Sequence, residues 1–118
     1  MRVKICGLTQ SEDVASACKA GADALGFVFY EPSKRFVRIS KAKQLCQEVP
    51  PFVQRVGLFV NPTKDYVQQV LNEVELDLLQ FHGDETPEFC ESFAVSYIKA
   101  LPVKPGFNLQ EAMQAHVA

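Results

Sequence analysis

The sequence predicts an α/β fold in which about five parallel strands alternate with helices. Five short apolar runs are separated by segments whose apolar residues recur at the period of a helix. Because the connections between successive runs are too long for hairpins, neighbouring strands are predicted to be parallel and joined by right-handed crossovers. With 118 residues, 47% of them hydrophobic and 22% charged, the chain from 1 to 118 is predicted to form a single domain.

The first strand and helix are predicted within the N-terminal twenty residues or so. The run RVKIC at 2–6 predicts a strand. The following segment, GLTQSED, leads into a helix with Ser11 or Thr9 as its N-cap. The helical period is carried by Val14, Cys18 and Gly21. The tripeptide GAD then ends this helix.

The second strand and helix are predicted between residue 24 and a pair of prolines. The run ALGFVF at 24–29 predicts a strand, and the polar loop YEPSKRFVRI follows it. Ser40 is the predicted N-cap of a helix that ends at Pro50 and Pro51. The apolar positions of this helix are Ala42, Leu45, Cys46 and Val49.

Three more strands complete the predicted sheet. They are predicted at 53–60, 77–82 and 96–101. The helix after the first of them has the clearest period, through Val67, Val70, Leu71 and Val74. Thr86 and Pro87 are predicted to open a short helix before the last strand. Asn108 followed by Glu111 resembles a capping box of one further helix.

The strands are predicted to have one aliphatic face and one mixed polar face, since neighbouring residues along a strand point to opposite sides. The predicted polar face carries Lys4, Cys6, Gln80, His82 and Lys99. In the fifth strand, this places Ile98 on the aliphatic face. A sheet covered by helices on both sides would be apolar on both. The inner face of a barrel can be partly polar and ends in the active site, so the pattern favours a barrel.

Composition and charge exclude several classes of partner. The net charge is −2 and the basic residues are scattered, which predicts no nucleic-acid partner. The longest apolar run, ALGFVFY at 24–30, is far shorter than the roughly 20 residues of a spanning helix, and the N-terminus lacks a signal-peptide stretch. No membrane partner and a cytoplasmic location are therefore predicted. Four separated cysteines without a histidine at ligand spacing predict free thiols and no metal site.

Five residues follow or end predicted strands and are candidates for a functional site. In parallel α/β folds, functional groups gather at the carboxyl ends of the strands. The candidates are Cys6, Arg35, Asn61, His82 and Asp84. Cys6 and His82 also lie on the predicted polar face, so two criteria agree for these two residues.

The main candidates also have simpler interpretations. Cys6 can be a small buried hydrophobic residue, or as a thiolate it can take a proton from carbon or attack an electrophile. Arg35 suits a carboxylate or phosphate, but with Lys34 and Arg38 it can equally form a solvated basic loop. His82 can simply be hydrogen-bonded to backbone. A nucleotide is not indicated, because the chain has neither a Walker sequence nor G-x-G-x-x-G.

Five segments of the chain carry a resemblance to a known family. They are KICGLT, GADALGFVFYEPSKRFV, VQRVGLFVN, LDLLQFHGDE and YIKAL, in this order and spacing along essentially the whole chain. Together they resemble the phosphoribosylanthranilate isomerase family of tryptophan biosynthesis. The resemblance implies a (β/α)8 barrel, without metal or cofactor, whose small-molecule substrate is N-(5-phosphoribosyl)anthranilate. The implied reaction is an Amadori rearrangement of this ribosylamine to the open-chain ketose.

The resemblance also implies roles for three residues. Cys6 would be the general base that removes the proton from C2 of the ribose once the ring has opened to a Schiff base. Arg35 would bind the anthranilate carboxylate, although the family commonly has S-P-R where this chain has Ser33, Lys34 and Arg35. His82 would lie beside the substrate in a supporting polar role.

The length of the chain limits what the resemblance implies. A complete barrel needs about 200 residues or more, and the chain is predicted to hold about five strands of eight. The implied general acid follows the sixth strand and the implied phosphate loops follow the seventh and eighth; Asp84 and Glu85 do not replace them by position. The chain alone is therefore expected to be weakly active or inactive. Phe27 and Phe59 are expected on an inner face open to water, and open sheet edges favour self-association.

Two other functions are considered. A different sugar-phosphate barrel, such as indole-glycerol-phosphate synthase, would need a lysine acid at a strand end, and Lys99 is predicted in mid-strand. Alternatively, the chain is a non-catalytic partial barrel that acts only as a folding or assembly unit.

Overall fold

The structure, a computed structural model, describes residues 3–99 and contains one sheet of five parallel strands. The strands are β1 Lys4–Cys6, β2 Ala24–Val28, β3 Gln54–Phe59, β4 Leu78–Phe81 and β5 Tyr97–Lys99. The helices are α1 Ser11–Lys19, α2 Ile39–Gln47, α3 Lys64–Glu73 and α4 Pro87–Glu91. The predicted α/β class is confirmed. The predicted capping box at Asn108 and Glu111 and the end of the predicted fifth strand lie outside the described residues.

The strands are ordered in the sheet as they are in the sequence, β1-β2-β3-β4-β5. Each helix therefore connects two adjacent strands, and no crossover skips a strand. A doubly wound sheet reverses its strand order at a switch point, whereas a barrel adds each strand to the same edge. The sheet thus has the topology of a barrel segment.

Aromatic side chains build the face of the sheet that the helices cover. Phe27, Phe59 and Phe81 are completely buried. The ring of Phe59 stands 6.0 Å from that of Phe81 and 6.1 Å from Tyr66 on α3, while Phe81 lies 5.8 Å from Phe89 on α4. The prediction of Phe27 and Phe59 on an open inner face is therefore wrong. Their parity within β2 and β3 places them under the helices instead.

The opposite, concave face follows the predicted pattern except in β5. The strand register puts Cys6 beside Gly26 and Ile98 beside Gln80. The same register puts Lys99 beside Phe81, on the helix-covered side. The assignment of Lys99 to the polar face is therefore wrong, because a three-residue strand carries too little pattern to fix its own orientation. Its charge is accommodated on that side by a carboxylate described below.

The helices begin at residues that only partly match the predicted caps. The observed N-cap residues of α1 to α4 are Gln10, Arg38, Thr63 and Thr86. The prediction for Thr86 is confirmed, since its hydroxyl accepts a bond of 3.1 Å from the Phe89 amide. The predictions of Ser11 or Thr9 for α1 and of Ser40 for α2 are wrong. Ser11 and Ser40 both lie inside their helices, one and two residues after the observed cap.

Replacement of the observed and the rejected caps provides a test of these assignments. Thr63→Ala removes the hydroxyl that accepts from the Tyr66 amide at 3.1 Å, and we expect it to lower the free energy of unfolding by about 1 kcal/mol. Ser40→Ala is the control and should change it by less than about 0.5 kcal/mol. Urea denaturation followed by circular dichroism measures both. A larger loss for Ser40→Ala than for Thr63→Ala would contradict the assignment.

Candidate active site

The candidate residues lie at one edge of the sheet. Cys6 is the last residue of β1, Arg35 lies in the loop after β2, Asn61 follows β3 and His82 directly follows β4. Since all five strands are parallel, these positions share the carboxyl-terminal edge. The structure therefore brings the predicted strand-end candidates into one region, with Cys6 and His82 on the concave face.

The thiol of Cys6 occupies the space beside Gly26, which has no side chain. Cys6 is half-buried and lies in register with Gly26 of β2. A Cβ atom placed on Gly26 would stand 2.6 Å from the Cys6 sulfur, closer than van der Waals contact permits. Gly26 is thus required at this point by the close approach of the thiol.

The side chain of Arg35 packs on the residue that follows Cys6. Gly7 has a φ of 82°, in the left-handed region that favours glycine. A Cβ atom on Gly7 would collide with the Arg35 side chain and stand 3.0 Å from its Nη1. The exposed guanidinium is therefore held next to the end of β1. Ser33 orders the loop, since its hydroxyl accepts a hydrogen bond of 3.1 Å from the Arg35 amide.

Lys4 and Gln80 meet across the concave face. The Lys4 ammonium donates a hydrogen bond to Oε1 of Gln80. These residues belong to β1 and β4, which would be about 14 Å apart in a flat sheet at about 4.8 Å per strand. The contact confirms the predicted shared face of these residues, and it shows that the sheet curls toward that face.

The same contact fixes the protonation of His82. Because an ammonium can only donate, Lys4 orients the Gln80 amide with its oxygen toward β1 and its nitrogen toward His82. The Gln80 Nε2 lies 2.6 Å from the His82 Nε2, which must accept and leaves the ring proton on Nδ1. Burial, and then the Lys4 charge, lower the pKa of His82 below its usual 6.5. The ring is accordingly a neutral imidazole at neutral pH.

A buried ion pair beside the candidates was missed by the sequence analysis. Lys99 contacts Glu85 with 2.5 Å between Nζ and Oε1. Burial raises the pKa of Glu85, but hydrogen bonds from Lys99 and from backbone amides outweigh this effect, so the net shift of the pKa is downward.

The other two candidates, Asn61 and Asp84, are bonded to each other. Asn61 has a φ of 44°, and its side-chain oxygen accepts a hydrogen bond of 2.7 Å from the Asp84 amide. The sequence HGDE after β4 could have indicated Glu85 as a functional residue. The sequence analysis chose Asp84 from this segment as the candidate instead.

The other cysteines differ from Cys6 in their surroundings. Cys46 and Cys90 are buried in the core, where burial raises their pKa values to about 12 and about 11. Cys18 is half-buried against the same core. The structure holds all four cysteines as free thiols. Within residues 3–99, no group of three or more His, Cys, Asp or Glu side chains could hold a metal ion.

Comparison with known proteins assigns the family. The family model described as N-(5'phosphoribosyl)anthranilate (PRA) isomerase matches residues 3–118. The chain belongs to the phosphoribosylanthranilate isomerase family. It is 61% identical over 115 residues to the isomerase of Bordetella pertussis, covering 97% of this chain and 53% of that protein. It is 52% identical over 116 residues to that of Pseudomonas putida strain F1, covering 98% and 56%.

A solved phosphoribosylanthranilate isomerase supports the same assignment. Its crystal structure, in complex with reduced 1-(o-carboxyphenylamino)-1-deoxyribulose 5-phosphate, matches 98% of this chain and 59% of that one, with 42% identity and a TM-score of 0.86. The fold is thus that of the (β/α)8 barrel, of which residues 3–99 form an open five-stranded part. The chain spans about half the length of the curated relatives it matches. None of the helices described is long and apolar enough to cross a bilayer.

Removal of the Lys4 charge tests the environment of His82. Because that charge helps to lower the pKa of His82, we expect Lys4→Met to raise it toward 6.5, while Lys19→Met at the exposed end of α1 leaves it unchanged. NMR titration of the ring, assigned with His82→Gln, measures the pKa. An equal response to both substitutions would contradict the Lys4 contact.

The lowered pKa of His82 also has a consequence for stability. The unfolded chain binds a proton at this ring more readily than the folded one does. The contribution of His82 to the free energy of unfolding should therefore be complete above about pH 6.5 and lost as the pH falls below it. Denaturation curves of His82→Gln should show a smaller loss between pH 7 and pH 5 than those of the wild type.

Proposed function

We propose that the chain carries the N-terminal part of an N-(5'-phosphoribosyl)anthranilate isomerase and contributes Cys6, Arg35 and His82 to its active site. The observation that carries the proposal is the packing of Arg35 on Gly7, which holds a guanidinium beside the residue that follows Cys6. The ligand of the related crystal structure has a carboxyphenyl group and a ribulose phosphate. A guanidinium complements such a carboxylate through a paired hydrogen bond.

In the proposed reaction, the residues of this chain bind the anthranilate part of the substrate and remove one proton from its ribose part. Arg35 holds the carboxylate and so places C2 of the opened ribose near β1. The Cys6 thiolate removes the proton from C2 of the Schiff base, and the electron pair moves toward the nitrogen to give an enol that tautomerises to the ketose. His82, neutral and protonated on Nδ1, supplies a hydrogen-bond donor at the same rim. The acid that opens the ring is implied beyond β5.

The proposal also covers the substrate class, the partners and the location of the chain. The substrate is a small molecule, and neither cofactor, metal, nucleic acid nor membrane takes part. We place the chain in the cytoplasm and treat 1–118 as one domain. Support for this comes from the scattered charge, the short apolar runs and the five-stranded sheet that residues 3–99 form.

Binding of a substrate analogue tests the role of Arg35. The probe is reduced 1-(o-carboxyphenylamino)-1-deoxyribulose 5-phosphate, followed by titration calorimetry with the 118-residue chain. We expect Arg35→Met to weaken binding about 10- to 100-fold, the value of a charged hydrogen bond of about 1.5–3 kcal/mol. Lys34→Met, which removes a charge from the same loop, is the control. Equal losses from both variants would favour the solvated basic loop, and no heat from the wild type would favour the non-catalytic alternative.

Turnover tests the role of Cys6 and the contribution of the rest of a barrel. We expect the 118-residue chain alone to turn over substrate far more slowly than relatives of full length, since it spans about half of their length. Cys6→Ala should lower the residual kcat far more than KM, whereas Cys18→Ala should change neither. Loss of substrate fluorescence measures both constants. An unchanged kcat in Cys6→Ala would remove Cys6 from the role of base.

The alternative of an assembly unit is favoured by one feature, an exposed apolar region at the amino-terminal end of the concave face. Val3, Phe52 and Ile98 are 45%, 99% and 45% exposed and line a cavity of about 410 Å³. Within residues 3–99, β1 and β5 each pair with one neighbour. Exposed edges and apolar surface recruit partners, so self-association stays a prediction.

Size-exclusion chromatography tests self-association. We expect the elution volume of the wild type to fall with increasing protein concentration, and that of Phe52→Ser to change less. Phe36→Ser, in the loop after β2 at the other end of the sheet, is the control. A monomer at every concentration would contradict this prediction and leave the isomerase proposal unaffected.

A further inference from the structure

The ion pair between Lys99 and Glu85 differs from the others that residues 3–99 contain. Its side chains are 6% and 2% exposed. In the pair of Lys43 with Glu73, both side chains are about half exposed. Arg55, the third cation, pairs with two carboxylates that reach the solvent. Because burial of two charges costs free energy that their attraction often fails to return, the Lys99 pair is not explained by stability alone.

Both charged groups are also bonded to the backbone of strand-end loops. The Glu85 carboxylate accepts from the Asn61 amide at 2.7 Å and from the Gly83 amide at 2.9 Å. The Lys99 ammonium donates to the Gly83 carbonyl as well as to Glu85. The pair therefore connects the loop after β3, the loop after β4 and Lys99, the last residue of β5.

These bonds hold the residue that follows His82 and the neighbouring loop after β3. Gly83 follows His82 directly, and both its amide and its carbonyl are engaged by the pair. The His82 amide itself donates to the Phe59 carbonyl at 2.9 Å. Asn61, whose amide is held by Glu85, in turn accepts from the Asp84 amide through its side chain. The backbone around His82 is thus held from the helix side, while Gln80 contacts its ring on the concave face.

We propose that Glu85 and Lys99 are positioning residues, which set the loops after β3 and β4 and thereby the place of His82 at the rim of the concave face. They act through Asn61 and Gly83 and do not themselves touch the substrate. The role of His82 in the reaction rests on the proposed isomerase function. The placement of His82 by the Glu85–Lys99 pair does not depend on that function.

The test removes both charges together. Glu85→Gln alone would leave the Lys99 ammonium buried without its carboxylate and can unfold the chain. The double variant Glu85→Gln with Lys99→Met avoids this. The double variant Lys43→Met with Glu73→Gln, which removes the exposed pair between α2 and α3, is the matched control.

The measurements are amide hydrogen exchange and the NMR signals of the His82 ring. We expect the Asn61 and Gly83 amides of the double variant to exchange at least tenfold faster, while amides of β2 are unchanged. Because Glu85 and Lys99 also act on the pKa of His82 through their charges, the ring signals are compared at pH 8, where the ring is neutral. They should shift in this variant and not in the control. A folded double variant with wild-type exchange at Asn61 and Gly83 and wild-type His82 signals would overturn the proposal.

Analogue binding separates this inference from the proposed function. If the wild-type chain binds the reduced analogue, we expect the double variant to bind it at least tenfold more weakly. Unchanged binding together with faster exchange at Asn61 and Gly83 would contradict the role of His82 in the proposed function and leave its placement by the pair in force. If the wild type does not bind it, the isomerase proposal fails. The exchange rates and the His82 signals then decide the positioning role by themselves.

Discussion

The curl of the sheet is the constraint on which the site depends. Every strand is added next to its predecessor, so the helices all pack on one side and the other side becomes concave. Lys4 on the first strand and Gln80 on the fourth can touch only because of this curvature. In a flat sheet, the thiol at the end of β1 and the imidazole after β4 would face parallel directions across three strand spacings. Curvature turns them toward a common space.

The two faces differ in side-chain size within the second strand. Its helix side carries Leu25 and Phe27, whereas its concave side carries Ala24 and Gly26. The third strand does not repeat this division, since Gly57 lies beside Phe27 on the helix side and Val56 beside Gly26 on the concave side. The small size of Gly26 is therefore a local requirement, which gives the Cys6 sulfur its space.

The periodicity of the sequence predicted all five strands, the helices between them and the edge at which the candidates lie, because each follows from local pattern. What it missed depends on contacts between distant residues. Lys99 was assigned to the wrong face because three residues of strand have no decisive alternation, and its partner Glu85 lies in a loop 14 positions earlier. Ser40 has the right chemistry for a cap, but the helix begins one residue before it at Ile39. The contact of Lys4 with Gln80 required the curvature, which no single strand encodes.

The unequal burial of the four thiols gives the chain a natural place for a chemical label. Cys46 and Cys90 lie in the core and stay protonated through the physiological range, so alkylating reagents do not reach them in the folded state. Replacement of Cys18 by serine would confine a maleimide dye to the rim of the concave face. A fluorophore there would report directly on whatever enters or covers that hollow.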